Sequence, residues 1–329
     1  MLVFSALLTM TLITEALSLS GREWVQGKWE GNIFHPQRAT ICNSKCSENS
    51  VFHELPDKER TYDIYNAKKA TKCLNYKKYT RIIVVGDSYM RNLFAGLYDV
   101  LIDRQTEISQ KEHPQKELEF DLRYPAAFFG NNKNSFEVKI SHNIALTFLH
   151  QFGLWSPLQL NLPAFDKEDT LILYGSMVHD HKFRQIDFLI RKHHKNKKEA
   201  EKLIKDKDHV GRDKFKAIAH KAWMKRLLEF RFAFATFFWV TSPYYETFKL
   251  EQVNHYAAVN QNNEQYLRWN IDGVNSLLTA NPRALFLDAY HLTESCVYQN
   301  CSRDGAHRAS FVNRMKFQII LNVLCKSKA

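Results

Sequence analysis

Between residues 80 and 329 the chain alternates two kinds of apolar pattern. Short runs with little polar alternation recur: "RIIVVG" (81–86), "NIALTFLHQF" (143–152), "DTLILYG" (169–175), "FFWVTSP" (237–243) and "ALFLDAY" (284–290). Such runs predict strands buried on both faces. Between them, apolar residues return every three or four positions over 88–102, 211–231, 263–279 and 308–325, the last carrying Phe311, Met315, Ile319 and Val323. These stretches predict helices. Strands alternating with helices specify an α/β protein, a mostly parallel central sheet between two helical layers. In such sheets the functional crevice opens outside the carboxyl ends of the strands. Three polar stretches reach that edge: Asp87-Ser88, Gly175 to Asp180, and Asp288 to His291.

The flanks read differently. Residues 21–79 bear Trp, Cys and Pro without a sustained period, which predicts an irregular segment pinned by disulfides onto a main domain spanning 80–329. Residues 1–20, MLVFSALLTMTLITEALSLS, are apolar and end in small-x-small sites at Ala16-Leu17-Ser18 and Ser18-Leu19-Ser20, as a secretory signal peptide does. No Lys or Arg precedes the apolar run and Glu15 interrupts it, so a signal-anchor in the Golgi or ER lumen stays open beside cleavage. No later run reaches the ~18 apolar residues of a membrane span.

A secretory chain changes how its six cysteines are read. Cys42, Cys46, Cys73, Cys296, Cys301 and Cys325 suggest three disulfides whose pairing the sequence does not choose. Zinc is disfavoured, because Cys42-x-x-x-Cys46 lacks a second close pair at ligand spacing. Asn300 opens the sequon "NCS", an N-glycosylation signal in the same compartment.

The 329 residues are 45% hydrophobic and 25% charged, which excludes wholesale disorder and suits one large domain. The net charge is +11, much of it in "RKHHKNKKEAEKLIKDKD" at 191–208. A basic surface in a secretory compartment points to anionic glycans or membrane headgroups before nucleic acid, or is simply a solvated helix face. No zinc-finger, homeodomain or RNP-like pattern accompanies the charge.

The candidate chemistry sits at the strand ends. Gly86 lets the chain turn sharply out of its strand, and Ser88 then falls at a helix start, where free N–H groups face whatever the hydroxyl attacks. That suits a nucleophilic serine; it equally suits an N-cap, in which Asp87 or Ser88 only satisfies helix donors. Near the other end, "SRDGAHR" places Asp304 and His307 three residues apart across a glycine turn before the last helix. That spacing can hold an aspartate on one imidazole nitrogen while the other faces a serine. His179-Asp180-His181 is too local to converge on a metal ion without distant ligands, and no metal site is expected.

Together, "GDSYMRN" at 86–92 and "DGAH" at 304–307 resemble the GDSxxRN and DxxH motifs of the PC-esterase, or trichome-birefringence-like, branch of the GDSL/SGNH hydrolase superfamily. The resemblance implies a three-layer SGNH-hydrolase-like α/β/α fold, with Ser88 as nucleophile, His307 as base, Asp304 as its orienting partner and Arg91 in the oxyanion hole. Gly175 stands at the superfamily's third block, followed by His179 rather than the usual Asn, so His179 either contacts substrate or caps a loop. No glycine clearly fills the second block; Gly130 and Gly153 are candidates. The implied activity is transfer of O-acetyl groups to glycan hydroxyls, with glycan O-acetylesterase activity and a catalytically silent glycan-binding module as alternatives. No cofactor is expected beyond an acyl donor, either an acetylated substrate or a group derived from acetyl-CoA. Trp155, Tyr174, Tyr244 and Tyr245 lie near the expected crevice as candidate sugar-stacking residues, unless they are packing.

Overall fold

The computed structural model describes residues 21–42, 51–57, 60–102, 135–141, 143–151, 162–175, 196–205, 231–246, 263–299 and 307–326, with single positions between 217 and 228 and between 301 and 305. The leader at 1–20 lies outside the described residues.

The body is α/β. Six strands make the central sheet: β4 (Arg81–Gly86), β5 (Ser135–Ser141), β6 (Ile144–His150), β7 (Thr170–Gly175), β8 (Thr236–Val240) and β9 (Leu285–Leu287), in spatial order β5-β6-β4-β7-β8-β9. All neighbours pair in parallel except the edge strand β5, which is antiparallel to β6. Numbered by appearance, the five parallel strands run 2-1-3-4-5, and chain direction across the sheet reverses at β4. Such a reversal opens a crevice at the carboxyl ends of the strands flanking it.

The unbroken apolar runs are explained by helices on both faces. Ile82, Val84, Leu146, Phe148, Leu171 and Leu173 pack with α1 (Ala67–Tyr76), α2 (Ser88–Leu101) and the final helix, α6 (Ser310–Lys326). Ile83, Val85, Ile172, Tyr174, Phe237 and Trp239 pack on the opposite face with α4 (Asn263–Ala280). Each buried Val, Ile or Leu contributes about 1.5–3 kcal/mol of transfer free energy, so a run such as Ile82 to Val85 holds on both sides. Of the basic run at 191–208, positions 196–205 are described. There α3 (Lys197–Lys205) exposes Lys197, Lys198 and Lys202 around the buried Ala200, the pattern of a solvated helix face.

The segment expected to be irregular contains regular structure instead. β1 (Glu23–Glu30) and β2 (Ile33–Ile41) pair antiparallel, with a bulge at Gln26/Gly27, and β3 (His53–Glu54) adds to β2. Trp24, Trp29 and Phe34 are buried; Trp29 packs on Phe34, and both tryptophans also find partners at the far end of the chain. Trp29 Nε1 donates to the Leu292 carbonyl at 3.0 Å, and its ring meets Phe311 edge-on at 5.5 Å. Asn322 and Gln318 of α6 each form paired side-chain–backbone hydrogen bonds with Asp63 and Tyr65, at 2.8–2.9 Å.

Two disulfides join described residues, Cys73–Cys325 and Cys296–Cys301. Cys42 is also disulfide-bonded, and Cys46 lies outside the described residues. The first bridge closes 252 residues and the second 5, so chain entropy assigns them about 5 and about 2 kcal/mol. Replacing Cys73 and Cys325 together with serine is therefore expected to lower stability in urea by about 3 kcal/mol more than replacing Cys296 and Cys301. Equal losses would show that loop entropy does not govern these bridges.

β9 stops at Leu287 rather than running on to 290, because Asp288 caps a short helix, α5 (Ala289–Glu294), through the His291 amide at 3.1 Å. Asp288 Oδ2 also accepts from the Val25 amide at 2.9 Å and from His291 Nδ1 at 2.7 Å. It thereby ties β1 to the body. Burial of the imidazole opposes its protonation, but the charge of Asp288 and their hydrogen bond, with Glu294 adding, hold His291 above its ordinary value of 6.5. A raised folded pKa gives stability that is complete below about pH 6.5 and fades as pH rises through the folded value. His291→Gln should therefore cost most in melting temperature below pH 6.5 and progressively less above it. A difference from wild type that is flat across pH 5–9 would show that His291 carries no folding-linked proton.

Candidate active site

Asp87 and Ser88 divide the two tasks of cap and candidate nucleophile between them. Asp87 is the N-cap of α2: it is buried, its backbone is extended, and its Oδ1 accepts from the Tyr89 amide at 2.9 Å. Capping leaves Ser88 as the first helical residue, with its hydroxyl available. That hydroxyl is hydrogen-bonded to His307 Nε2 at 2.8 Å. Two residues 219 apart in sequence thus meet at the carboxyl edge of the central strand.

The turn that delivers Ser88 depends on two glycines. Gly86 has φ +150°, and a Cβ there would meet the Gly175 carbonyl oxygen at 2.1 Å and Met90 Cγ at 2.4 Å. A Cβ on Gly175 would meet Met90 Sδ at 2.6 Å. Gly86 and Gly175 are register partners across β4 and β7, so the backbones close tightly with Met90 wedged over them. Gly175 is thereby placed beside the Ser88 turn.

His307 is held by a buried frame. Gly305 turns at φ +80°, a conformation that favours glycine, and its carbonyl accepts from the Glu246 amide at 3.0 Å. Arg308, fully buried, donates to Glu246 Oε1 at 2.5 Å and to the Tyr244 carbonyl. From α6, Asn313 Nδ2 donates to the carbonyls of Arg308 and Ala309 at 3.0 and 3.2 Å. Lys316 Nζ donates to Asn313 Oδ1 at 3.2 Å and lies 4.0 Å from the Tyr89 ring centroid. Burial, with the nearby charge of Arg308, drives the Lys316 amine well below its ordinary value. These charged residues behind the site carried no motif and escaped the sequence reading.

Arg91 sits one turn into α2, half-buried. Burial draws its guanidinium down from its ordinary value and Asp87 opposes that; the group remains a cation near neutrality. His150, last residue of β6, lies at the same carboxyl edge of the sheet, half-buried, and is paired in register with Gly86. Nothing in the sequence marked it beyond a strand end.

Asp304, His179, Asn300, Trp155, Gly130 and Gly153 lie outside the described residues. Two candidate sugar-stacking residues are core instead. Tyr174 is fully buried and stacked on Trp239 at 5.5 Å; Tyr245 is buried, packed on Tyr266 at 4.7 Å and hydrogen-bonded to Ser242 at 3.2 Å. Tyr244 is partly exposed, edge-on to Tyr290. Among the described residues no group of His, Cys, Asp and Glu is arranged to hold a metal ion. No helix among them is long and apolar enough to cross a membrane. No protein-family model matches this chain, and no curated protein matches it.

Proposed function

We propose that the chain is a serine acyl enzyme of the SGNH type that moves O-acetyl groups on glycans within the secretory pathway. The observation that carries this reading is the 2.8 Å hydrogen bond between Ser88 Oγ and His307 Nε2, at the carboxyl edge of a parallel sheet, where the serine opens a helix. His307 takes the hydroxyl proton as Ser88 attacks the acyl carbonyl, then returns it to the departing alcohol. Asp304 is proposed to hold the other imidazole nitrogen. The acyl-serine is then cleared by a second hydroxyl, which His307 deprotonates in the same way. A sugar hydroxyl makes the protein a transferase, and water makes it an esterase. The disulfides among the described residues fit an oxidising compartment. The intact serine–histidine pair weighs against a silent glycan-binding module.

The esterase reading draws on a specific observation. Tyr174 and Tyr245 are buried in the core, so two of the aromatics that would have stacked on an acceptor sugar and kept water off the acyl-enzyme do not serve that purpose. A fluorophosphonate probe followed by peptide mapping tests the nucleophile: labelling of Ser88 is expected, and labelling elsewhere or nowhere overturns the acyl-enzyme reading. A labelled acetyl donor with rising oligosaccharide acceptor then separates the outcomes. Transfer moves label from free acetate to acetylated sugar. If every acceptor leaves the label in acetate while acetylated glycans are stripped, the protein is an esterase.

A further inference from the structure

Three strand ends lie side by side at the crevice: His150 ends β6, Gly86 ends β4 and Gly175 ends β7, with Gly86 in register with both neighbours. Adjacent strands run about 4.8 Å apart, so His150 stands one strand spacing from the turn that carries Ser88. The orientation of its ring follows from a ladder of contacts. Phe94 of α2 meets Phe148 of β6 at 5.9 Å, and His150 stacks on Phe148 at 6.2 Å with planes 27° apart. The imidazole therefore occupies the α2 face of the sheet, one layer nearer the mouth than Phe94 and Phe148. Arg91 lies three residues before Phe94 on the same side of α2, and its charge acts on His150. His307 arrives from the other direction, since it precedes α6, which packs on α2 and β9, whereas α2 packs on β4, β6 and β7. Ser88 thus lies between His307, which enters with α6, and the end of β6, where the charge of Arg91 reaches His150.

We propose that His150 is a further catalytic residue, donating an N–H together with Arg91 to the oxyanion formed when Ser88 attacks an acyl carbonyl. The inference rests on the reading of Ser88 as nucleophile. It also fills the position for which the sequence offered no secure glycine. As the Oγ–C bond forms, the carbonyl π pair moves onto oxygen and the hydroxyl proton passes to His307 Nε2. As the tetrahedral species collapses, that pair re-forms C=O, the C–O bond to the alcohol breaks, and His307 protonates the leaving oxygen. His150 exchanges no proton; it stabilises charge where charge appears. Burial, with the positive charge of Arg91, holds His150 below its ordinary value of 6.5. Near neutral pH it is therefore an uncharged imidazole, which keeps one N–H donor and suits a polarising role.

The test compares His150→Phe, which keeps a ring on Phe148 but no donor, with His150→Gln, which restores an N–H. With p-nitrophenyl acetate, kcat of the Phe variant is expected to fall about 10²–10³-fold with KM little changed, and the Gln variant to recover about tenfold or more of it. The rate of fluorophosphonate labelling at Ser88 should fall in parallel. The inference is overturned if the Phe variant keeps kcat within about twofold, if the loss lies in KM alone, or if Gln is no better than Phe. Should His150→Phe fail to fold, His150→Leu makes the same comparison. Wild-type protein that does not label at Ser88 ends the nucleophile reading and this inference with it; wild-type labelling beside an unimpaired His150→Phe ends only this inference.

Discussion

Ser88→Ala is expected to abolish turnover of p-nitrophenyl acetate, by on the order of 10³-fold or more, while leaving the fold intact. The hydroxyl is the attacking group in the proposed reaction, and its removal leaves only oxyanion stabilisation and binding. The serine is partly exposed and does not cap the helix, which Asp87 does, so stability should change by no more than about 0.5 kcal/mol. His307→Ala should lose a comparable factor, because an unactivated serine is a poor nucleophile at neutral pH. The double variant should lose little more than either single one, since the two act in one step. Losses that multiply would show that Ser88 and His307 do not share a step, whatever their 2.8 Å separation.

A large effect on stability is also expected at the ion pair behind His307. Arg308 and Glu246 have fully buried side chains, and removing one partner strands the other charge away from water. Arg308→Met should therefore cost about 3–5 kcal/mol in urea unfolding. Combining it with Glu246→Leu should recover much of that cost, because no buried ion is then left unpaired. Activity should not recover in parallel, since the double variant still lacks the guanidinium that anchors the Gly305–Arg308 turn to the Tyr244 carbonyl. A single variant that loses less than about 1 kcal/mol would mean that the released carboxylate finds solvent.

The parts of the fold legible in sequence are those whose burial is two-sided and local. Ile82 to Val85, Leu171 to Tyr174 and Phe237 to Val240 are apolar at every position because helices cover both faces, and unbroken runs report that directly. β1 and β2 leave no clear local signal, because a bulge at Gln26/Gly27 breaks their alternation and Pro36 interrupts the second strand. Their buried aromatics also pack on α5 and α6, contacts that no local period can show. α1 buries only Ala70 and Leu74, too few for a helical stripe. β5, at the edge, is a single short antiparallel strand.

For the site, motif and strand end together indicated Ser88, Arg91, Gly175 and His307, but not depth. A tyrosine beside a predicted crevice reads the same whether it is partly exposed, as Tyr244 is, or buried, as Tyr245 is. His150 was hidden for the opposite reason. Its place beside the Ser88 turn depends on β6 lying next to β4 although α2 and β5 separate them in sequence, and strand order is not written in any local pattern.

The joining of β1 to β9, α5 and α6 has a consequence for how the protein is made. The Gly21 carbonyl accepts from the Phe286 amide at 2.7 Å, and Val25 reaches Asp288 across 263 residues. At 5–20 residues per second, ribosomes need roughly 15–50 s to synthesise that interval. Throughout it Trp24 lacks Phe286 and Trp29 lacks Phe311, the rings from the far end of the chain that they pack on. Cys73 is likewise translated long before Cys325 and must be kept from premature pairing. The β1–β2 sheet thus gains part of its native cover only when α6 arrives, and that helix follows the turn carrying His307. Ribosome-bound chains truncated before residue 310 should present the N-terminal strands to chaperones and proteases. Release of α6 would close the structure and bring His307 to Ser88 in the same event.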